Sequence, residues 1–482
     1  LQMLTLFATQ AQANDRAVAF FGNRTRFIVM VLVLLCLTSI WSNILSFNIA
    51  VVCMQPENDT AEAAADTETH NFTSSESSWI IATVAIAAVI GNFPIVFLVN
   101  KVGIRTVFAA LGAISAIATL LLPTAIRMGF WFLLICRAFQ GVSLAANFPV
   151  IGAFCAKWTY WKQTGLFVSV LVAFMQLSPA LTNSLSAPLC AAFDWPSVFY
   201  AHGAISVLLF VIYALFYRNS PGKHPFVGDT EKGKIAVGKA AIDKKILKKV
   251  PYAAILRTPA VWAVWVSAVG NFTAVNMLFL FSPTYLSKAL GFSVHGTGIS
   301  AALPPLAQFG MKLLCGAISD RIKCISEVNK FRLFNSLAFF VSAFFFVLLS
   351  LLDDSDGRRN MIVLGCATGC LGAATGGFFK AGPVLSQQYS HFVTGNISLV
   401  ITLTMVIVPF VVNALTPNST HDEYKAVFLI VAAVQTVTNV FFVIFIRGDP
   451  PEWTHEQTSR TASVTGSQEG KTQDKADNNN KF

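Results

Sequence analysis

Arg137 is the residue whose type and position most strongly indicate chemistry. It lies inside an apolar run, Gly129 to Trp158, that is long enough to cross a lipid bilayer. A cation near the middle of such a helix costs about 2.5–3.5 kcal/mol on insertion scales, so it normally faces a polar cavity or a partner. The run contains no carboxylate to neutralise the charge. A guanidinium facing a cavity is suited to holding an anion, and its planar fork fits a carboxylate or a phosphate.

Other polar residues interrupt apolar stretches and could complete a solute site. Gln140 follows Arg137 by three positions, on a neighbouring helical face. Lys312 is also surrounded by apolar residues, and it either binds solute or reaches a bundle partner or the interface. The carboxamides each make either a ligand contact or an interhelical hydrogen bond; besides Gln140 they are Asn147, Gln176, Asn183, Asn276 and Gln308. We predict that the solute is bound by Arg137, Gln140, Asn147, Asn276 and Lys312.

Proton coupling has one candidate residue. His202 could titrate near neutral pH, and no Asp or Glu is evident within the apolar stretches. The alternative is an ordinary buried histidine.

Motifs for other chemistry do not occur. The chain has no phosphate-binding loop, metalloprotease helix or nucleophile elbow, so we expect no enzyme, no cofactor and no metal site. The nine cysteines have no metal-ligand spacing and suggest no disulfide framework; those in helices are expected to be small packing residues. Because the phosphate-binding loop of ATPases is missing, any process that needs energy would have to draw on a gradient.

The elements that must position these residues are membrane spans. The chain is 55% hydrophobic and only 12% charged, where a soluble protein carries about a quarter charged residues. The sequence predicts an all-α integral membrane fold with twelve transmembrane helices in two pseudo-symmetric six-helix bundles. The predicted spans lie near 26–53, 79–99, 106–125, 130–156, 164–189, 195–217, 259–286, 297–319, 331–352, 361–380, 394–416 and 425–446.

The chain divides into five predicted regions. They are a cytoplasmic N-terminal segment (1–25), an N-terminal bundle (26–217), a basic cytoplasmic linker (218–258), a C-terminal bundle (259–447) and a disordered cytoplasmic tail (448–482).

The placement of charge predicts the orientation. The net charge of +10 reflects basic residues in alternate loops, which argues against nucleic-acid binding and places both termini in the cytoplasm. Some attraction to anionic membrane lipid is also expected. The first outward loop is acidic and has no Lys or Arg. Sequons on the predicted outward side make Asn58, Asn71 and Asn418 candidate glycosylation sites.

Several motifs carry a resemblance to a known family. Val102-Gly103-Ile104-Arg105 and Asp320-Arg321 resemble the short basic loops of the major facilitator superfamily. Arg137-Ala138-Phe139-Gln140-Gly141, with Phe148-Pro149 after it, resembles the anion transporter family that contains sodium–phosphate cotransporters, sialin and the vesicular glutamate transporters. Further stretches at 194–200, 220–225, 283–304 and 448–453 resemble the same family, so the match runs over roughly 26–453. The resemblance implies the major facilitator fold and an anion-binding role for Arg137.

The chain departs from the family where mechanism is concerned. An Arg that the family carries in its first helix is Ile44 here, and an acidic residue of its fourth helix is Leu144. An Asn-His-x-Asp stretch near the tenth helix is replaced by Ala381 to Val384, and an aromatic residue of the seventh helix by Asn276. The helix 4 cation is kept, whereas groups linked with proton coupling and substrate binding are not.

The sequence therefore predicts a secondary transporter of a small organic or inorganic anion, working by alternating access. Co-transport of sodium, co-transport of a proton and potential-driven movement remain open. Two alternatives also remain: a non-transporting receptor or interaction protein on the same fold, and a carrier of a neutral or cationic solute. The expected location is the plasma membrane or a vesicular or lysosomal membrane.

Overall fold

The structure is a computed structural model, and it describes residues 23–54, 72–159, 164–236, 251–322, 324–353, 356–386, 390–449 and 451–454. The α-helices in this part of the chain are α1 Thr25–Cys53, α2 Ser74–Val102, α3 Ile104–Met128, α4 Phe130–Leu144, α5 Asn147–Trp158, α6 Thr164–Val172, α7 Phe174–Phe193, α8 Trp195–Phe216, α9 Asp229–Ala236, α10 Tyr252–Leu256, α11 Pro259–Thr284, α12 Val294–Arg321, α13 Glu327–Leu351, α14 Gly357–Cys370, α15 Phe378–Ser386, α16 Ser390–Leu415 and α17 His421–Phe445.

Twelve helical stretches of the described residues are long and apolar enough to cross a membrane, which confirms the predicted fold class. We call them spans 1 to 12; they are Thr25–Cys53, Ser74–Val99, Ile104–Met128, Phe130–Cys155, Phe167–Phe193, Trp195–Phe216, Pro259–Ala289, Gly296–Ser319, Glu327–Leu351, Gly357–Ser386, Gly395–Leu415 and His421–Phe445. Spans 1 to 6 form the N-terminal half and spans 7 to 12 the C-terminal half.

Some spans are not continuous α-helices. Span 4 is interrupted at Ala145–Ala146, between α4 and α5. Pro149 has no N–H to donate to the carbonyl of Ala145, so one bond of the helical ladder is missing there. Span 10 passes from α14 into a 3₁₀ segment, Leu371–Gly376, before α15 begins. Span 7 ends in a π-helical turn, Tyr285–Ala289.

The two halves carry matching polar networks in their interiors. In the N-terminal half, Asn43 of span 1 donates to the hydroxyls of Ser115 in span 3 (3.0 Å) and Ser206 in span 6 (3.1 Å). In the C-terminal half, Asn335 of span 9 donates to Ser267 in span 7 (3.1 Å) and Asn439 in span 12 (2.9 Å). Spans 7, 9 and 12 are the counterparts of spans 1, 3 and 6, so the networks follow the internal pseudo-symmetry of the fold.

The linker docks on the N-terminal half near the start of span 1. Glu231 of α9 is fully buried, and its carboxylate accepts hydrogen bonds from the backbone N–H groups of Thr25 (3.3 Å) and Arg26 (3.0 Å). The imidazole of His224 packs edge-on against Trp158 and Phe216, with ring centroids 5.5 and 4.9 Å away. A negative side chain at a helix N-terminus stabilises the unpaired N–H groups there.

Hydrogen bonds join the two halves at one end of the molecule and midway along the spans. We call the end where span 1 stops and span 2 starts the distal end, and the opposite end the terminal end. At the distal end Asn413 donates to Ser78 (2.8 Å), and Trp79 packs edge-on against Phe410 (5.2 Å). Deeper in the bundle, Asn183 donates to the carbonyl of Ala301 (3.2 Å). Among the described residues, hydrogen bonds between the halves run from the distal end to the middle of the spans.

Candidate functional site

A small cavity lies between the halves, midway along the spans. Its lining comes from spans 5, 7, 8 and 10, and consists of Met175, Gln176, Asn271, Phe272, Val275, Gln308, Lys312, Leu371 and Phe379. The free volume of about 10 Å³ is about what a single water molecule needs, so the cavity in this conformation is too small for a solute.

Among the described residues of this lining, Lys312 is the only charged one. Its ammonium lies 3.5 Å from Oε1 of Gln176 and 5.3 Å from the ring centroid of Phe379. Nε2 of Gln176 in turn donates to Oε1 of Gln308 at 3.3 Å. These contacts cross the interface between the halves, because Gln176 belongs to span 5 and the other two polar residues to span 8.

The cavity offers both a cation and hydrogen-bonding amides. The side-chain oxygen of Asn271 is buried at its wall and has no hydrogen-bond partner. An unpaired buried acceptor costs about 1–3 kcal/mol, which a ligand with a donor group would recover. The lining thus suits a solute with one anionic group and at least one donor.

Arg137 lies elsewhere, inside the N-terminal half. It is fully buried, and its guanidinium donates to the carbonyls of Ile80 (3.2 Å) and Ile44 (3.0 Å) and to Oε1 of Gln140 (2.9 Å). Its centre is 5.0 Å from the ring centroid of Phe47. The side chain therefore joins spans 1, 2 and 4, and it is not part of the lining of the central cavity.

The charge of Arg137 has no ionic partner among the described residues. No carboxylate there lies within salt-bridge distance of it, and Nη2 is buried without a hydrogen-bond partner. Gln140 is fixed from the other side, because its Nε2 donates to the carbonyl of Asn43 (3.0 Å) and the hydroxyl of Thr119 (2.8 Å). Gln140 thereby orients the guanidinium.

The other three predicted side chains lie at separate positions. Asn276 donates to the carbonyl of Ile401 (3.2 Å) and to Thr404 (2.9 Å), so it joins spans 7 and 11. Asn147 is fully buried at the interruption of span 4, and neither end of its carboxamide has a hydrogen-bond partner. His202 is buried, with Nε2 2.9 Å from the hydroxyl of Ser186. Of the five predicted solute ligands, the structure brings Lys312 alone to the central cavity.

The cysteine prediction was wrong at two positions. Cys53, at the end of span 1, and Cys190, near the end of span 5, form a disulfide at the distal end. They are 137 positions apart in the sequence, so no local spacing signals the pair. The other seven cysteines take part in no disulfide.

The predicted glycosylation sites are only partly described. Asn58 and Asn71 lie outside the described residues. Asn418 is exposed, but its side-chain nitrogen donates to Oε1 of Glu423 at 2.9 Å, in the short turn before span 12.

The sequence prediction missed six residues of the cavity lining, namely Met175, Asn271, Phe272, Val275, Leu371 and Phe379. For Asn271 the available signal was an amide within an apolar stretch. The other five are apolar residues like most of their surroundings and gave no signal; phenylalanine alone occurs 42 times in the chain.

Comparisons with known proteins agree with this architecture. The family model described as Major Facilitator Superfamily matches residues 27–390, so the chain belongs to this superfamily and is one of its transporters. It is 26% identical to human sialin over 381 residues, covering 78% of this chain and 76% of sialin. It is 27% identical to an uncharacterized transporter of Caenorhabditis elegans over 438 residues, covering 85% and 88%.

Further relatives place the chain near the anion transporters, as the sequence resemblance predicted. Rat sodium-dependent phosphate transport protein 1 is 21% identical over 390 residues, which covers 80% of this chain and 84% of that protein. A bacterial homolog of the human lysosomal transporter Spinster has the same fold, with a TM-score of 0.66 at 12% identity, covering 88% of this chain and 98% of that one. The chain is thus a multi-pass membrane transporter.

Proposed function

We propose that this transporter moves a small organic or inorganic anion by alternating access between its two six-helix halves. The observation that carries the proposal is Lys312, a cation in a cavity between the halves whose lining includes no carboxylate. Relatives of the chain include a zebrafish (Danio rerio) vesicular glutamate transporter and the rat sodium-dependent phosphate transport protein, and both glutamate and phosphate are anions.

Lys312 is the group that we assign to direct contact with the solute. It is on span 8, at the seam between the halves, and its present partner Gln176 is a neutral amide across that seam. When the halves separate, this weak contact breaks and the ammonium becomes available to a carboxylate or phosphate. A hydrogen bond to a charged group contributes about 1.5–3 kcal/mol.

Arg137 supports the same preference without touching the cavity in this conformation. Its uncompensated charge makes the interior of the N-terminal half positive, and a low-dielectric environment transmits that field further than water does. Asn147 and Asn276 remain candidate ligands for the conformation in which the halves have parted, with Gln140 holding the guanidinium in place.

Uphill movement would be driven by co-transport of sodium, by co-transport of a proton or by the membrane potential alone. Leu144 occupies the position of the family's acidic residue, so a carboxylate-based proton relay has no obvious carrier there. His202 is the candidate for proton coupling, and its contact with Ser186 connects it to span 5. A His202→Gln variant that kept the wild-type pH dependence of uptake would remove this assignment.

The distal end is proposed to face the cell exterior or an organelle lumen, with both termini in the cytoplasm. Disulfides persist in oxidising compartments, and Cys53–Cys190 lies at that end. Asn58 and Asn71 belong to the acidic stretch between spans 1 and 2, and we propose both as glycosylation sites. Glycosylation of Asn418 would require release of its amide from Glu423. Plasma, vesicular and lysosomal membranes all fit this orientation.

Reconstituted vesicles test the proposal. The purified protein is reconstituted into liposomes that contain phosphate, L-glutamate, N-acetylneuraminate or urate. Uptake of the same labelled anion is then measured with and without gradients of sodium, protons or electrical potential. Exchange of at least one anion, lost in Lys312→Met, is the expected result. Binding of an anion without transport would instead identify a receptor. Competition by neutral or cationic solutes alone would identify a carrier of a neutral or cationic solute.

A further inference from the structure

The 3₁₀ segment of span 10, Leu371–Gly376, is pressed directly against the cavity-lining turn of span 8. A Cβ on Gly372 would lie 2.5 Å from the carbonyl oxygen of Gln308 and 2.7 Å from the backbone nitrogen of Lys312. Atoms at these distances overlap, and both are backbone atoms, which cannot rotate away. Only glycine allows the two helices to approach this closely.

The turn that Gly372 touches is the one that carries the polar groups of the cavity. Gln308 and Lys312 are the residues whose side chains reach Gln176 of the opposite half. Leu371 and Phe379, which flank the close contact along span 10, line the same cavity. The position of span 10 therefore fixes where the cavity cation stands.

The other end of the segment is anchored to span 9. A Cβ on Gly376 would lie 2.7 Å from the ring of Phe334, and the backbone N–H of Phe378 donates to Oδ1 of Asn335 at 3.2 Å. Asn335 belongs to the polar network that joins spans 7, 9 and 12. A 3₁₀ stretch of this length within a helix is uncommon and often marks a hinge.

We infer that the segment Leu371–Gly376 is a hinge that transmits movement of spans 7, 9 and 12 to the cavity, and that Gly372 is the positioning residue through which it holds Gln308 and Lys312 against the N-terminal half. The inference deepens the proposed function by naming a mechanical element for the same site. It concerns the position of the turn, so its test needs no solute.

Cysteine bridging measures that position. Full-length protein with Gln176→Cys and Gln308→Cys, and with the exposed Cys324 and Cys366 changed to serine, is treated with a short thiol-bridging reagent. The yield of the bridged peptide pair is measured by mass spectrometry. Adding Gly372→Ala is expected to lower the yield severalfold, because the added methyl group displaces the turn of span 8.

Two further glycines of span 10 complete the test. Gly365→Ala meets open space, so it is the matched control and bridging should be unchanged. Gly376→Ala creates a clash against the ring of Phe334 in span 9, and a hinge that transmits this displacement to the cavity should also lower the bridging yield. Unchanged bridging in Gly372→Ala or in Gly376→Ala, or an equal loss in Gly365→Ala, would overturn the inference.

Hydrogen exchange covers the case in which Gly372→Ala does not fold. In the unmodified protein, the backbone amides of residues 371–377 and 308–312 should exchange hydrogen at one common rate as the temperature is raised toward the thermal unfolding transition. Independent opening of the two segments would contradict the hinge. If bridging behaves as expected while no anion is transported, the hinge stands and the proposed function fails.

Discussion

Replacement of Arg137 tests whether this cation holds the N-terminal half together or serves the solute directly. In Arg137→Met, the carbonyls of Ile80 and Ile44 keep their helical hydrogen bonds but lose the one from the guanidinium, and Oε1 of Gln140 loses its donor. A hydrogen bond to a charged group contributes about 1.5–3 kcal/mol, so the gross loss over three bonds is about 4.5–9 kcal/mol. Removing a charge from the middle of a span returns about 2.5–3.5 kcal/mol, so the net loss is about 1–6.5 kcal/mol.

Arg137→Lys separates the charge from the hydrogen-bonding fork. Lysine keeps the positive charge but has no equivalent of Nε, so the hydrogen bond to the carbonyl of Ile80 is lost at a cost of about 1.5–3 kcal/mol. Thermal unfolding of the detergent-solubilised protein, read by size-exclusion fluorescence, should show both variants melting several degrees lower than wild type. Arg358→Met, at an exposed position, is the charge-loss control and should melt like wild type.

Two outcomes would refute this reasoning. Wild-type melting of both Arg137 variants would show that the three hydrogen bonds do not stabilise the half. Normal melting of Arg137→Lys combined with loss of anion binding would show that the guanidinium contacts the solute directly, as the sequence alone suggested.

Two further predictions concern the ends of the bundle. Alkylation after denaturation without reductant should modify seven of the nine cysteines. Cys53→Ser should lower the melting temperature, because a disulfide contributes about 2–4 kcal/mol to stability. Alkylation of all nine cysteines, or a Cys53→Ser variant as stable as the control Cys324→Ser, would exclude the bridge. Burial, with the nearby charge of Arg218, lowers the pKa of His224 from 6.5 to about 4. The unfolded chain therefore binds a proton at this histidine more readily than the folded protein does. The free energy of unfolding is highest above pH 6.5 and decreases as the pH falls toward 4; at pH 5 the decrease is about 2 kcal/mol. In His224→Phe the melting temperature should depend less on pH between 6.5 and 4. A variant that loses as much stability in acid as the wild type would contradict the assignment.

The fold was predictable because membrane spans are encoded locally. A run of about twenty apolar residues must form a helix in lipid, since each backbone polar group has to be paired within the segment. The basic segment between residues 218 and 257 likewise divides the chain into six and six spans without any knowledge of packing. Kinks were less visible, although Pro149 marked the interruption of span 4.

The site was less predictable, because the side a residue faces depends on how helices pack. Arg137 and Lys312 look alike in sequence, as single cations in apolar runs. Packing places Arg137 among carbonyls of its own half and Lys312 at the seam between halves, and periodicity does not distinguish these cases. The pairing of Cys53 with Cys190 and the contact of Gly372 with span 8 also join segments far apart in the chain.

The affinity of the protein for its transported anion in Lys312 variants tests the central claim most directly. Isothermal titration with the anion that exchanges fastest should show binding about 10–100-fold weaker in Lys312→Met, which corresponds to the loss of a charged contact of about 1.5–3 kcal/mol. Lys312→Arg, which keeps the charge, should remain within a few fold of wild type. Wild-type affinity in a correctly folded Lys312→Met protein would contradict the account.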